Sequence, residues 1–235
     1  MKIKADILEQ FLGKVCVNMS GDTYLMNEVL LNLSEQGLQM ECIDVSNTVM
    51  TVGFLDKNKF VTYESLGKVG ILNMSTFHKV LKQYSGEVTI TKNNNVMLIT
   101  DGRTDFELVL PHSELIKESP KVSSLQYDTT FNIDSGVLKT FSKNSDILDK
   151  GLSININCKP KNVTLESGSD DKCRVSIIVN ELNDNITVKF GIPLRNVISV
   201  LDGTVSLSLK NEYPAKVLMK NENYTVTYIV APMSG

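Results

Sequence analysis

The sequence predicts an α+β fold: two similar halves, each an antiparallel meander carrying two helices on one face. Three observations predict it. The stretch "VLKQYSGEVTI" at 80–90 returns as "VISVLDGTVSL" at 197–207, which aligns Gly86 with Gly203 at an offset of 117 residues. After a hairpin four residues longer in the second copy, "DFELVLP" ending at Pro111 aligns with "VTYIVAP" ending at Pro232. Short runs alternating apolar and polar residues fill both halves, and only four segments have the 3.6-residue period of a helix.

Those helical segments are 6–16, 75–84, 135–146 and 193–201, two per half. Their spacing turns Ile7, Leu8, Phe11 and Val15 inward on the first, and Phe77, Val80, Leu81 and Tyr84 on the second. On the third Val137, Leu138 and Phe141 face inward, and on the fourth Leu194, Val197, Ile198 and Leu201. The opposite faces then carry Glu9, Gln10 and Lys14, Lys79, Lys82 and Gln83, Lys139 and Lys143, and Arg195, Asn196 and Ser199. Strand runs such as "TVMTVGFL", "LSININ", "NVTLES" and "RVSIIVN" are separated by Gly-, Asn- and Asp-rich turns. The halves are expected at 1–116 and 128–235, with a Ser- and Pro-containing connector at 117–127.

Composition narrows the function. The chain has 235 residues, 42% apolar and 22% charged, so it can bury a sizeable core in one large domain or two. It contains no apolar run of membrane-spanning length and no secretory leader, which makes an intracellular location the expectation: nucleoid, nucleus or host cytoplasm. Cys16, Cys42, Cys158 and Cys173 lack metal-ligand spacing and read as core thiols, and no metal or cofactor is expected. None of the phosphate-loop, dinucleotide, nucleophile-elbow or zincin motifs occurs, and the two histidines lie on separate segments, which argues against an enzyme. The net charge of −3 means that any nucleic-acid contact must be confined to one locally basic face. Lysines on helix surfaces fit contact with phosphates, which carries no base readout.

The segments "LSEQGLQMECIDVSNTVMTVGFL", "GILNMSTFHKVLKQYSGEVTI" and "YTVTYIVAP", in this order and at these distances, resemble the proliferating cell nuclear antigen (PCNA) type of DNA sliding clamp, and the resemblance spans nearly the whole chain. It implies two duplicated clamp-type domains, sheets outside and helices inside, assembling head to tail as a homotrimer into a pseudo-sixfold ring around duplex DNA. It also implies the function of a processivity factor, which tethers a DNA polymerase to double-stranded DNA without sequence preference after a clamp loader has placed it. The alternatives are a clamp-like subunit acting as monomer or dimer, and a non-enzymatic β-rich structural protein.

Carried onto this chain, the resemblance implies DNA contact through Lys79, Lys82 and Lys143, with Lys139, Lys14 and Arg195 as further candidates. Glu9 and Gln10 on the first helix, and Pro193 and Val200 on the fourth, stand where basic residues are expected, so the middle helices are the stronger candidates. Ring closure is expected between "DFELVL" at 105–110, through Phe106, Leu108 and Leu110, and "KCRVSIIV" at 172–179, through Cys173, Val175, Ile177 and Val179. A pocket for short partner peptides is expected from Ile43, Val45, Met50, Val122, Leu125, Pro214, Ile229, Ala231 and Pro232.

Overall fold

The computed structural model describes the chain except residues 20–22, 113–115, 117–124, 150–152, 180–181, 183–184 and 234–235. The chain forms two compact units, one of Met1–Val45, Met50–Pro120 and Asn221–Val226, the other of Ser46–Val49, Lys121–Lys220 and Thr227–Gly235.

In the first unit β1 (Lys2–Lys4) runs directly into α1 (Ala5–Val15), followed by the short β2 (Asn18–Met19) and β3 (Thr23–Tyr24). Next come β4 (Val29–Ser34), β5 (Gly37–Ile43), β6 (Val49–Asp56), β7 (Phe60–Thr62) and β8 (Gly67–Ile71). Helix α2 (Met74–Leu81) leads into β9 (Glu87–Asn93), β10 (Val96–Thr100) and β11 (Asp105–Val109). The strands are ordered β11-β10-β9-β1-β7 in one sheet and β6-β5-β4-β8 in the other.

The second unit repeats this plan. It has β12 (Thr129–Asp134), α3 (Ser135–Asp149), β13 (Ile154–Lys159), β14 (Asn162–Ser167), β15 (Cys173–Ile178) and β16 (Ile186–Phe190). After α4 (Ile192–Val200) come β17 (Thr204–Leu209), β18 (Ala215–Lys220) and β19 (Tyr224–Val230), whose first three residues are grouped with the first unit. Orders β12-β17-β18-β19 and β15-β14-β13-β16 reproduce β1-β9-β10-β11 and β6-β5-β4-β8 of the first unit.

The repeated turn does the same work twice. Gly86 and Gly203 have φ of 127° and 62°, values that L side chains rarely adopt, and each reverses the chain between a helix and the strand that follows. The Gly86 carbonyl accepts the N–H of Ala5 at 2.7 Å, and the Gly203 carbonyl accepts that of Ser135 at 2.9 Å. Ala5 and Ser135 are the first residues of α1 and α3, so each turn fastens the start of the other helix of its own unit. Cross-strand pairs continue the match, Ile3 with Val88 and Ile133 with Val205.

Candidate functional site

Within the first unit α1 packs on α2. Asn73 caps α2, its side chain accepting the Thr76 N–H at 2.9 Å, and Met74, Phe77, His78 and Leu81 form the buried stripe. Val80 and Tyr84, expected in that stripe, are only half-buried; His78 takes the place beside Phe77. Its ring is satisfied on both sides, which is why a histidine can occupy a core position 1% exposed. Glu9 presents acceptors alone to Nε2, the carboxylate at 2.7 Å and the backbone carbonyl at 3.0 Å, so Nε2 carries hydrogen. Nδ1 bonds the Tyr24 hydroxyl, whose ring meets the imidazole edge-on at 5.3 Å. This buried group was not legible as such, since the histidine lies 69 residues from Glu9 and 54 from Tyr24.

Lys79 and Lys82 emerge exposed on the side of α2 away from this stripe, as the period predicts. Gln10 is exposed on α1, Lys14 and Ile7 are half-buried, and Glu9 is turned toward His78. Thus the acidic residue on α1 is drawn into the α1–α2 packing.

In the second unit α3 exposes Lys143, while Lys139 is half-buried and ion-paired with Asp202 at 3.1 Å. Val137 is 36% exposed rather than inward; Leu138, Phe141 and Ser145 carry the buried side of the helix. Helix α3 packs against β15 and ends in Ile147 and Leu148, 82% and 42% exposed. Arg195 does not face solvent as expected. It is 8% exposed, donating Nη1 to the Asp146 carboxylate and Nη2 to Ser167 Oγ at 3.4 Å, so it ties α4 to α3 and β14 and is unavailable to phosphate. A nine-residue helix whose buried face includes Leu194, Val197, Ile198 and Val200 has little room left for an outward cation at 195.

The two strands expected at a subunit interface are both sheet edges, β11 in the first unit and β15 in the second. An edge strand leaves one row of backbone N–H and C=O groups open to another chain. Phe106 and Leu108, like Cys173, Val175 and Ile177, are half-buried against their own unit. Leu110 and Val179, 6% and 9% exposed, are buried and offer nothing outward. The apolar side chains that do project are Val109, 70% exposed, and Ile178, 89% exposed, on the other face of each pleat. Alternation in the sequence contains both faces, and on each strand the expected interface set lies on the more covered one. Charge differs between the edges: β11 exposes Asp105 and Glu107, and β15 exposes Arg174 next to Lys172. Arg174 Nε and Lys172 Nζ reach Glu166 at 2.9 and 3.1 Å, and these bonds, Arg174's first, hold its carboxyl below its usual pKa.

Of the residues expected to line a peptide pocket, Ile43, Val45 and Met50 belong to the first unit and Leu125, Pro214, Ile229, Ala231 and Pro232 to the second. Val45 stands 97% exposed. Met50 is only 7% exposed. Leu125, Pro214, Ile229, Ala231 and Pro232 are half-buried, and the Ala231 N–H donates to the Thr48 carbonyl at 2.8 Å within the second unit. Val122 lies outside the described residues.

No family model matches the chain. It is 21% identical over 233 residues to the DNA polymerase sliding clamp 1 of Aeropyrum pernix, covering 90% of this chain and 93% of that one. It is 20% identical over 244 residues to the DNA polymerase sliding clamp of Haloarcula marismortui, covering 98% and 96%. The structure superposes with a TM-score of 0.85 and 17% identity on A. fulgidus PCNA, solved with the C-terminal region of FEN-1 bound, over 100% of this chain and 98% of that one. With PCNA from Entamoeba histolytica the TM-score is 0.82 and the identity 21%, over 99% and 98%. The fold is that of PCNA-type sliding clamps along the whole chain.

Proposed function

We propose that this chain is a DNA polymerase processivity factor, a sliding clamp that closes by head-to-tail association of three copies and encircles duplex DNA. The observation that carries the reading is the pair of open sheet edges, β11 and β15, one on each unit and opposite in charge. A surface whose complement lies elsewhere on the same chain makes a heterologous contact, and such contacts close into rings when the rotation permits. Val109 on one edge, and Ile178 with the Ile147–Leu148 end of α3 on the other unit, supply apolar area beside the strand pairing.

Lys79, Lys82 and Lys143 face the duplex, and Lys14 and Lys139 add charge at its margin. Long lysines on a net acidic body give salt-sensitive attraction to phosphates with no sequence preference, which lets a ring slide. The role is topological rather than catalytic: domains 1–116 and 128–235 form the ring, and short peptides of the polymerase, the loader and other partners dock on it. Such a protein works inside the cell, with the DNA.

Two measurements test this. A solution mass near three times 26.1 kDa supports the ring; a stable monomer or dimer at micromolar concentration overturns it. Lys79→Glu, Lys82→Glu and Lys143→Glu together should abolish polymerase stimulation on primed circular DNA, and full activity of that triple variant overturns the DNA-facing assignment.

A further inference from the structure

Helix α3 ends in a turn that its own sequence supports poorly. Its last residues, Asp146, Ile147, Leu148 and Asp149, put two carboxylates where the helix dipole favours cations, and the turn has no basic residue of its own. The cation comes from α4. Arg195, 8% exposed, donates Nη1 to the Asp146 carboxylate, and a guanidinium keeps its charge at any physiological pH. One buried residue of another helix thus completes the turn.

The same guanidinium reaches the sheet. Nη2 donates to Ser167 Oγ at 3.4 Å, and that hydroxyl can accept because its own hydrogen goes to the Ser153 carbonyl at 2.7 Å. Ser167 pairs with Cys173 across β14 and β15, and the Cys173 thiol lies 3.9 Å from the Phe141 carbonyl of α3. Arg195 is therefore linked on one side to the end of α3 and on the other to the strand beside β15, an edge of its sheet. Immediately beyond Asp146 come Ile147 and Leu148, 82% and 42% exposed, on the helix that packs against that edge.

From this linkage we infer that Arg195 is a positioning residue for ring closure. It fixes the last turn of α3 against the β14–β15 ladder, so that Ile147 and Leu148 are already in place to meet the β11 edge of a second copy of the chain. The inference rests on the ring reading and adds to it a residue that lies inside its own unit. An apolar pair on a frayed turn has to be ordered at the moment of association, and that ordering weakens binding. A surface fixed beforehand binds more tightly for the same buried area.

The test is sedimentation velocity over a dilution series, together with melting temperature and amide exchange, for the parent chain, Arg195→Met, Arg195→Lys and Val217→Ala. Methionine fills the space without the charge, and replacing a buried ion pair by an apolar side chain often leaves stability intact. Val217, 1% exposed in the other sheet of the unit, serves as a core control. Arg195→Met should melt close to the parent, exchange the amides of 146–148 about tenfold faster in dilute solution, and have a trimer dissociation constant raised by about tenfold or more. Arg195→Lys, which keeps the pair with Asp146, should fall between the two, and Val217→Ala should melt lower yet assemble as the parent does. A trimeric parent either of whose Arg195 variants assembles as tightly, or whose Val217→Ala variant is weakened as much, overturns this inference alone. A parent that stays monomeric overturns the ring reading together with it.

Discussion

The carboxylate of Glu9 lies 2.7 Å from Nε2 of His78, joining α1 to α2 beneath the face that carries Lys79 and Lys82. The imidazole engages an acidic side chain of α1 and fills a core position at the same time. Replacing His78 with Ala removes the ring and leaves the Tyr24 hydroxyl and the Glu9 carboxylate without it. We expect a loss of about 2–4 kcal/mol in urea unfolding, the range for a large-to-small core change with an orphaned polar partner. A loss below about 1 kcal/mol would mean that the cluster does not hold the helices together.

The two kinds of cation on the helices should separate in DNA binding. Lys82→Ala should lower duplex affinity and reduce the slope of log affinity against log salt by about 0.9 for the one phosphate contact removed. Arg195→Ala should leave that slope unchanged and instead cost about 1.5–3 kcal/mol of stability, because the guanidinium bonds Asp146 and Ser167 inside the second unit. Salt titrations and thermal melts of the two variants check both halves of this expectation.

Edge-strand side chains decide assembly in the proposed ring. Val109→Asp adds a third acidic side chain to the exposed row of β11, beside Asp105 and Glu107, and Ile178→Asp puts a carboxylate where β15 offers an exposed apolar one. Each should shift sedimentation to the monomer at micromolar concentration with the melting temperature of the isolated chain little changed, since both positions are largely solvent-exposed. A trimer persisting in both variants would exclude these edges as the closing surfaces.

Thiol reactivity offers an independent reading of the same edge. Burial pushes the Cys158 thiol up to about 11 and raises that of Cys16 well above its usual value, so both stay protonated and shielded at neutral pH. Cys173, half-buried on β15, should be alkylated first in dilute protein and become protected as concentration drives assembly. Mass spectrometry after a short iodoacetamide pulse reports the order; prior labelling of Cys16 or Cys158 would contradict the burial.

The paired turns should be costly to alter for backbone reasons alone. A Cβ at Gly86 or Gly203 meets nothing within 4 Å, so the penalty for Ala is conformational. About 1–2 kcal/mol is expected for Gly203→Ala, whose φ of 62° is the left-handed helical value. Gly86→Ala should cost more, because φ of 127° lies outside the regions open to L residues. Chemical denaturation of the two variants measures the difference.

The sequence by itself determined the duplication, the strand-rich plan and the four helices, because each follows from local periodicity and from glycines that only a reversing backbone requires. It also determined that Lys79, Lys82 and Lys143 face outward, since a helix with a clear apolar stripe leaves its other side to solvent. Tertiary structure alone decided the rest. Whether Arg195 is a surface cation or a buried tie depends on Asp146 and Ser167, 49 and 28 residues away. Whether His78 is a surface histidine or a core one depends on Glu9 and Tyr24. On β11 and β15 the period of two fixed the alternation but not its sign: which face is covered depends on what packs against it, and that placed Val109 and Ile178 outside. Polar groups enter a core only when distant partners satisfy them, and no local pattern records a partner that the fold has yet to bring near.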